Sequence, residues 1–456
     1  MQRPERMGVE PIPRLILSFA LPSITGMLAN ALYNIVDRIF VGRLVGPGAL
    51  AAISICFPFM LFLMALSLLF GTGAAPLMTL ALGEKNFPRA ERVLGGAMST
   101  VLAAALCIAL AGHLSLDGLL RFSGAGETLL PSAREYMRII LWGVPFSVIA
   151  LALNFCIRAE GHPTFAMGTQ ILGALCNIAL DALFVGVLSM GIAGAALGTV
   201  ISQALSAFWV ASFYIRRMGV LRFRAASLVP RPVLLARIFS LGLSPCLSEL
   251  SFTLFFVLFN HALRFHGGDI AVSAMGAFMG WDSLLFLPVI GVAEAMQTIF
   301  AYNQGARLFG RVLDALKWAL ATASGYFFLS AVTVYFFAEE MLRLFTTDED
   351  LLRTAILGAR ISYAAVQFVG IALIVTSFFQ GLGRAGTCLT LSLARQFVFL
   401  IPSILILPRF FGLTGVWFCF PAVDAASGLF ALFLLLREYN RSKLAEYDGR
   451  SFWARR

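Results

Sequence analysis

Charged side chains are scarce in this chain. Asp, Glu, Lys and Arg supply 13% of its 456 residues, against about a quarter in ordinary soluble domains, which need a polar surface to meet water. A chain this poor in charge, 59% hydrophobic and with a mean hydropathy of +0.87, reads as an integral membrane protein, and most soluble-enzyme classes are excluded. Histidine is rare as well. His113, His162, His261 and His266 lie near the ends of apolar runs and form no H-E-x-x-H ligand pattern, which argues against an enzyme acting within the membrane. No G-x-x-x-x-G-K-[ST] occurs, so ATP hydrolysis is excluded and uphill work must draw on an ion gradient or a partner. The seven cysteines, Cys56, Cys107, Cys156, Cys176, Cys246, Cys388 and Cys419, stand singly inside apolar stretches and imply neither a disulfide framework nor a metal site. Residues 1–12 are polar and Pro-rich, and the apolar run after them is too long for a signal-peptide core.

What the chain has in abundance is long apolar runs. A bilayer core of about 30 Å needs roughly 20 apolar residues per helix, and twelve runs meet that length. They lie near 13–43, 49–81, 91–115, 132–158, 164–188 and 192–215, then near 235–263, 271–302, 313–338, 353–380, 386–408 and 412–436. The runs are Leu/Ala-rich and lack the roughly ten-residue alternation of barrel strands. With the N-terminus inside, the inside segments collect most of the Lys and Arg, while the outside segments keep few, among them Arg43, Arg121, Arg264, Arg343, Arg353 and Arg409. Both termini are therefore expected in the cytoplasm. The same bias accounts for most of the +10 formal charge and the pI near 9.6. The arginines are spread over several loops, so nucleic acid is not an expected partner.

The halves resemble each other at an offset of about 222 residues. Arg158-Ala-Glu-Gly161 answers Gln380-Gly-Leu-Gly383, and Met190-Gly-Ile-Ala-Gly194 answers Phe411-Gly-Leu-Thr-Gly415. Gly71 to Leu94 resembles Gly291 to Leu316, and Pro22 falls close to Pro245. Six spans per half make both halves enter the membrane in the same sense. The expected fold is an all-α integral membrane protein, its twelve transmembrane helices arranged as two parallel-repeat six-helix lobes around a central cavity. Its expected divisions are an N-lobe (1–217, spans one to six), a cytoplasmic inter-lobe linker (218–234), a C-lobe (235–440, spans seven to twelve) and a basic cytoplasmic tail (441–456). Gly381-Leu-Gly383-Arg-Ala-Gly386 matches the dinucleotide pattern G-x-G-x-x-G in letters. It lacks the preceding strand and the following acid that the pattern needs, and reads as a turn.

Ionisable groups inside spans carry the chemistry of such a protein, since an Asp at mid-helix costs roughly 3 kcal/mol on insertion scales. In span one, Asn30, Tyr33, Asn34 and Asp37 share one helical face, as do Gln170, Asn177 and Asp181 in span five and Thr199, Ser202, Gln203 and Ser206 in span six. Asp37 lies roughly 24 residues, and Asp181 roughly 17, from the cytoplasmic starts of their spans, so both reach the outer half of the membrane and are able to meet. Two carboxylates in a poorly hydrated pocket do not both ionise cheaply, so the pair is expected to hold a proton, or a Na⁺ ion with the amide and hydroxyl oxygens nearby. At the 222 offset Asp37 corresponds to Phe259 and Asp181 to Ser403. The second half offers Glu249, Asp282, Glu294 and Asp424 instead, with Gln297, Gln367 and Gln380, as cavity-lining or structural groups.

Leu21-Pro22 followed by Leu32-Tyr-Asn-Ile-Val-Asp37-Arg-Ile-Phe-Val-Gly42 resembles the first span of the multidrug and toxic compound extrusion (MATE) family. Arg158-Ala-Glu-Gly-His-Pro163, Asn177-Ile-Ala-Leu-Asp181, Gly191-Ile-Ala-Gly-Ala-Ala196, Ala301-Tyr-Asn-Gln-Gly-Ala-Arg307, Leu344-Phe-Thr-Thr-Asp348 and Gly412-Leu-Thr-Gly-Val-Trp417 extend the resemblance over nearly the whole chain. The details are most similar to the MepA-like and DinF-like bacterial branch. The resemblance implies a non-enzymatic efflux antiporter of the bacterial inner membrane, without a cofactor, exporting small organic and often cationic compounds against inward H⁺ or Na⁺ flow, and acting as a monomer. It places ion coupling on Asp37, Asn177, Asp181 and Thr199, the set for a Na⁺ ion, with Tyr33, Tyr136 and Asn154 as further members. Asn34, Gln170, Gln203, Glu249, Asp282 and Glu294 remain candidates for lining the substrate cavity. In some relatives an acidic pair on spans seven and ten has been assigned to cation coupling. Here Glu249 matches the first, while span ten has no acid in its apolar interior, which favours the N-lobe. The alternative is a lipid-linked precursor flippase of the same superfamily, whose phosphate cargo would need basic groups; the intramembrane candidates are Arg38, Arg360 and Arg395.

Overall fold

In hydrocarbon every backbone N–H and C=O must be satisfied within the protein, and long apolar runs do this by coiling into helices. The computed structural model describes residues 3–344, 346 and 348–447, and no strand occurs among them. The first six spans are α1 (Ile12–Val45), α2 (Pro47–Gly83), α3 (Phe87–Leu114), α4 (Leu130–Ala159), α5 (Pro163–Val187) and α6 (Gly191–Ile215). The continuous helical segment Pro232–Gly305 is divided at Gly268, whose φ of 66° and ψ of −162° are non-helical, into α7 (232–267) and α8 (269–305). Next come α9 (Phe309–Leu342) and α10, which joins Glu349–Ala365 to Gln367–Gly381 across a 49° bend. Gly412, at φ 57°, divides Ala385–Asn440 into α11 (385–411) and α12 (413–440). The described residues therefore carry twelve spans, each centred on one of the expected apolar runs. Helix continues from α12 to Tyr447. The rest of the expected basic tail, 448–456, lies outside the described residues, as do Phe345 and Thr347 of the Leu344 to Asp348 motif.

The internal repeat is written in the backbone as well as in the letters. Positive φ recurs at Gly46 and Gly268, Lys85 and Arg307, and Gly161 and Gly383, each pair 222 residues apart, and at Gly191 and Gly412, 221 apart. The helix stops are closed by the same bonds in both halves. Asn86 N–H donates to Ala81 O at 2.8 Å and Leu308 N–H to Asn303 O at 2.8 Å, while His162 N–H reaches Ile157 O at 3.1 Å and Arg384 N–H reaches Phe379 O at 2.8 Å. These are six-to-one closures around a left-handed residue, the usual way a helix satisfies its last carbonyls. Gly383 thus serves as a helix stop between α10 and α11, which disposes of the dinucleotide reading of the surrounding glycines.

The chain forms two compact units. One comprises the described residues up to Val9 with Leu17–Leu250; the other comprises Glu10–Ile16 with the described residues from Ser251 onward. The segment 218–234 and the first turns of α7 thus pack within the first unit. A Cβ on Gly73 of α2 would strike the carbonyl of Ile238, and one on Gly242 of α7 would overlap the carbonyl of Leu69. Small residues let these helices cross backbone to backbone, which in lipid replaces a missing hydrophobic drive between helices. In the second unit, Arg311 at the start of α9 donates to Glu10 O at 2.6 Å and to Asn303 Oδ1 at 3.2 Å, tying down the N-terminal segment.

Between α6 and α7 the chain runs as a strap fitted closely onto its own unit. Leu221 N–H donates to Glu160 Oε1 at 2.7 Å, Arg224 pairs with the buried Glu91 at 2.9 Å, and a Cβ on Gly95 of α3 would meet Ser227 O at 2.5 Å. A Cβ on Gly219 would strike the Glu160 carboxyl itself. Glu160 lies in the turn between α4 and α5, outside the spans, and is wholly buried. Burial pushes its carboxyl up to about 7, against the opposing pull of the Leu221 and Val220 N–H groups. A carboxyl raised in the fold gives its full stability below its unfolded value of 4.5 and loses it as pH rises through about 7. We expect the purified protein in detergent to lose about 3 kcal/mol of stability across that window, and Glu160→Gln to flatten the dependence; a variant melting curve that tracks the wild type at every pH would contradict this.

Candidate functional site

The polar stripes of the first unit converge on one another. Asp37 of α1 and Asp181 of α5 bring their carboxyl groups within hydrogen-bonding reach, and Tyr33, one turn before Asp37, lies in electrostatic range of both, as does Tyr136 of α4. Asp181 is wholly buried. Asp37 Oδ1 and both carboxyl oxygens of Asp181 have no other hydrogen-bond partner. An ionised carboxylate only accepts, so two facing carboxyls bond to each other only by sharing a proton. Arg38, the chain neighbour of Asp37, lies within electrostatic range of it, is exposed and places its guanidinium 5.7 Å from the Phe57 ring centroid.

Local sequence explains how the acids meet. Asp181 directly precedes the π-helical Ala182–Val187 of α5, and Asp37 lies one turn ahead of the π-helical Val41–Val45 of α1; such bulges shift the faces of a helix at the cost of regular bonding. Gly198 of α6 supplies the seat: a Cβ there would come within 2.6 Å of Asp181 Oδ1. Beside it, Asn177 of α5 donates from Nδ2 to Thr199 Oγ1 of α6 at 3.5 Å, leaving Asn177 Oδ1 without a partner. Carboxylate and amide oxygens without protein donors suit a hard monovalent cation as well as a proton. The same device recurs at other depths. Gln170 of α5 fills the place of a side chain at Gly26 of α1, Gln203 of α6 reaches Gly143 of α4, and Ser206 reaches Gly173.

Other expected members differ in place. Asn154, buried, donates to Ala166 O at 2.8 Å, joining α4 to the start of α5; it stands 18 residues, or about 27 Å, along α4 from Tyr136, too far to join the acids. Asn34 is exposed, donates to Asn30 O of its own helix at 2.8 Å, and stays beside the acids, its side chain within hydrogen-bonding reach of Tyr33. Glu249 on α7 and Glu294 on α8 are part-buried.

In the second unit a mixed-charge cluster forms. Tyr363 OH donates to Asp282 Oδ1 at 3.0 Å, and Arg395 pairs with Asp424 at 3.2 Å. Tyr363 occupies the 3-10 turn at which α10 bends, and Arg395 the π segment Ala394–Leu400 of α11. Phe278, Trp281 and Leu285 of α8 continue the wall around Asp282 and Tyr363. Tyr363 is not legible as a site residue in the sequence, because a tyrosine in an apolar run carries no periodic signal of its own. Arg395 stood out there only as an isolated basic group.

Twelve spans in two repeats, with carboxyl groups buried among them, define a multi-pass membrane transporter. The chain belongs to the MatE family, whose model matches residues 22–183 and again 243–406, one match in each repeat. The multidrug export protein MepA of Staphylococcus aureus (strain MSSA476) is 27% identical over 94% of this chain and 95% of its own length. The fold is shared with a solved structure of MATE in complex with MaL6, at TM-score 0.90 and 24% identity, covering 96% of this chain and 98% of that one. It is shared also with the outward-facing conformation of a multidrug resistance MATE family transporter of the MOP superfamily, at TM-score 0.87 and 25% identity, covering 93% and 95%.

The Asp282–Tyr363 bond is open to a direct check. Tyr363→Phe leaves a buried carboxyl without its donor and is expected to cost about 1–3 kcal/mol, whereas adding Asp282→Leu should recover part of that loss. Thermal unfolding of the four members of the cycle measures the coupling, and additive effects would refute it.

Proposed function

We propose that this protein is a secondary multidrug exporter of the bacterial inner membrane, moving small organic, often cationic compounds outward by H⁺- or Na⁺-coupled antiport with alternating access. The observation that carries the reading is the Asp37–Asp181 pair, whose three buried carboxyl oxygens have no hydrogen-bond partner outside the pair. A buried carboxyl pair is costly unless something neutralises it. An ion arriving from one side and released to the other when α1 and α5 rearrange at their π turns turns that cost into coupling. Asn177 and Thr199 extend the oxygen set toward a Na⁺ ion, and Tyr33 and Tyr136 screen the pair from water. Relatives named as multidrug export proteins support the cargo class.

The energetics suit the task. One charge crossing 100 mV is worth about 2.3 kcal/mol, enough for a gradient of roughly 45-fold at about 1.4 kcal/mol per decade. When one monovalent cation leaves for each ion entering, the voltage terms cancel and the chemical gradient of the ion alone drives export. A phosphate-bearing lipid cargo fits less well, because the intramembrane arginines are engaged: Arg395 by Asp424, Arg360 by Tyr335 O at 3.0 Å and its ring, Arg38 by Phe57. By the basic-residue bias, both termini are cytoplasmic, and the chain works as a monomer.

Ethidium efflux from cells is expected to fall by tenfold or more in Asp37→Asn and in Asp181→Asn, since each leaves a carboxyl that no longer shares a proton. Proteoliposomes with H⁺ and Na⁺ gradients imposed separately identify the ion. Wild-type efflux from both variants would overturn the reading.

A further inference from the structure

Acidic residues are missing from a long stretch of this chain: none occurs between Asp181 and Glu249, and no lysine either. Within it the strap from α6 to α7 and the first turns of α7 carry Arg216, Arg217, Arg222, Arg224, Arg231 and Arg237, all exposed. Arg224 is paired with Glu91 of α3. The other five form no ion pair among the described residues. Apolar side chains alternate with them: Ile215, Met218, Phe223, Val229 and Val233 are all exposed.

The strap does not dangle. Leu221 is wholly buried and Ser227 nearly so, the Glu160 carboxyl holds the Leu221 N–H, and the chain passes against Gly95 of α3 too closely for a larger residue there. Arginines on a fixed backbone lose less freedom on binding than arginines on a loose loop. The strap starts where one span ends, at Ile215, and ends where the next begins, at Pro232, so it lies at headgroup depth. Guanidinium groups grip phosphate through paired, planar N–H bonds, and apolar neighbours reach into the acyl boundary below.

We propose that this strap is a binding surface for the anionic phospholipid headgroups of the leaflet it faces. The exposed apolar residues favour lipid over a free phosphate, which has no use for them. The inference goes beyond the transport reading and stands whatever cargo the protein moves.

The test uses the purified full chain in mixed micelles, titrated with fluorescent phosphatidylglycerol, with phosphatidylcholine and inorganic phosphate as the other arms. Binding of phosphatidylglycerol is expected to weaken by roughly fivefold for each arginine converted to glutamine, to fall with salt, and to resist competition by inorganic phosphate. The combined variant Arg216→Gln, Arg217→Gln, Arg222→Gln, Arg231→Gln and Arg237→Gln should bind phosphatidylglycerol no better than phosphatidylcholine. If the combined variant does not fold, the single changes Arg222→Gln and Arg231→Gln carry the same test. Undiminished binding by the variants, or displacement of the lipid by inorganic phosphate, would overturn the proposal. Transport activity enters neither measurement, so a failure here is separable from a failure of the antiport reading.

Discussion

A bilayer core contains no water to satisfy a polar group, and the rest of this structure follows from that. Backbone groups are satisfied by coiling each apolar run into a helix, and the ends of those helices are closed by carbonyl bonds around left-handed residues such as Gly161, Lys85 and their counterparts 222 residues on. Side chains face the same constraint. Where a helix must come close to another, glycine removes the side chain altogether, as at Gly73 and Gly242. Where a polar group must be buried, a glycine on the facing helix makes room for it, as Gly198 does for Asp181 and Gly26 for Gln170.

Against that background the carboxyl oxygens of Asp37 and Asp181, which have no partner outside their own pair, stand out. A protein selected for packing alone would give them donors or counter-charges or replace them, because burying an uncompensated charge is among the most costly things a fold does. The second unit shows the contrast: Asp282 has Tyr363 as donor and Asp424 has Arg395 as counter-charge. The two repeats share backbone turns, yet the chemistry of their interiors has diverged. Parallel repeats preserve the places where helices stop, since those are set by backbone geometry, and leave the side chains between the stops free to specialise.

Charge outside the membrane follows a different logic. The basic excess that orients the spans is gathered most densely on the strap after α6, where buried Glu160 holds the Leu221 N–H, buried Glu91 pairs with the Arg224 guanidinium, and the remaining arginines stay exposed. In the sequence Glu160 is one letter of the Arg158 to Pro163 motif. Nothing in its spacing announced that it would accept an N–H from a residue 61 positions away.

The spans, their number and the repeat were legible in the sequence because they rest on local properties: run length, the period of polar residues, and the glycines at which helices stop. Asp37 and Asp181 were legible for the same reason, since a charge inside an apolar run is visible without knowing its partner. Their meeting was inferred from depth along each helix, and it holds because helix rise is constant. Asn154 shares the composition of the site and not its place, for helical spacing assigns a face without saying what that face meets. The Tyr363–Asp282 bond, the Arg395–Asp424 pair, the Gly198 seat and the Glu160 clamp were decided only by tertiary structure. Each joins residues from different helices, and pairings of that kind depend on crossing angles and close approaches that no single stretch of sequence encodes.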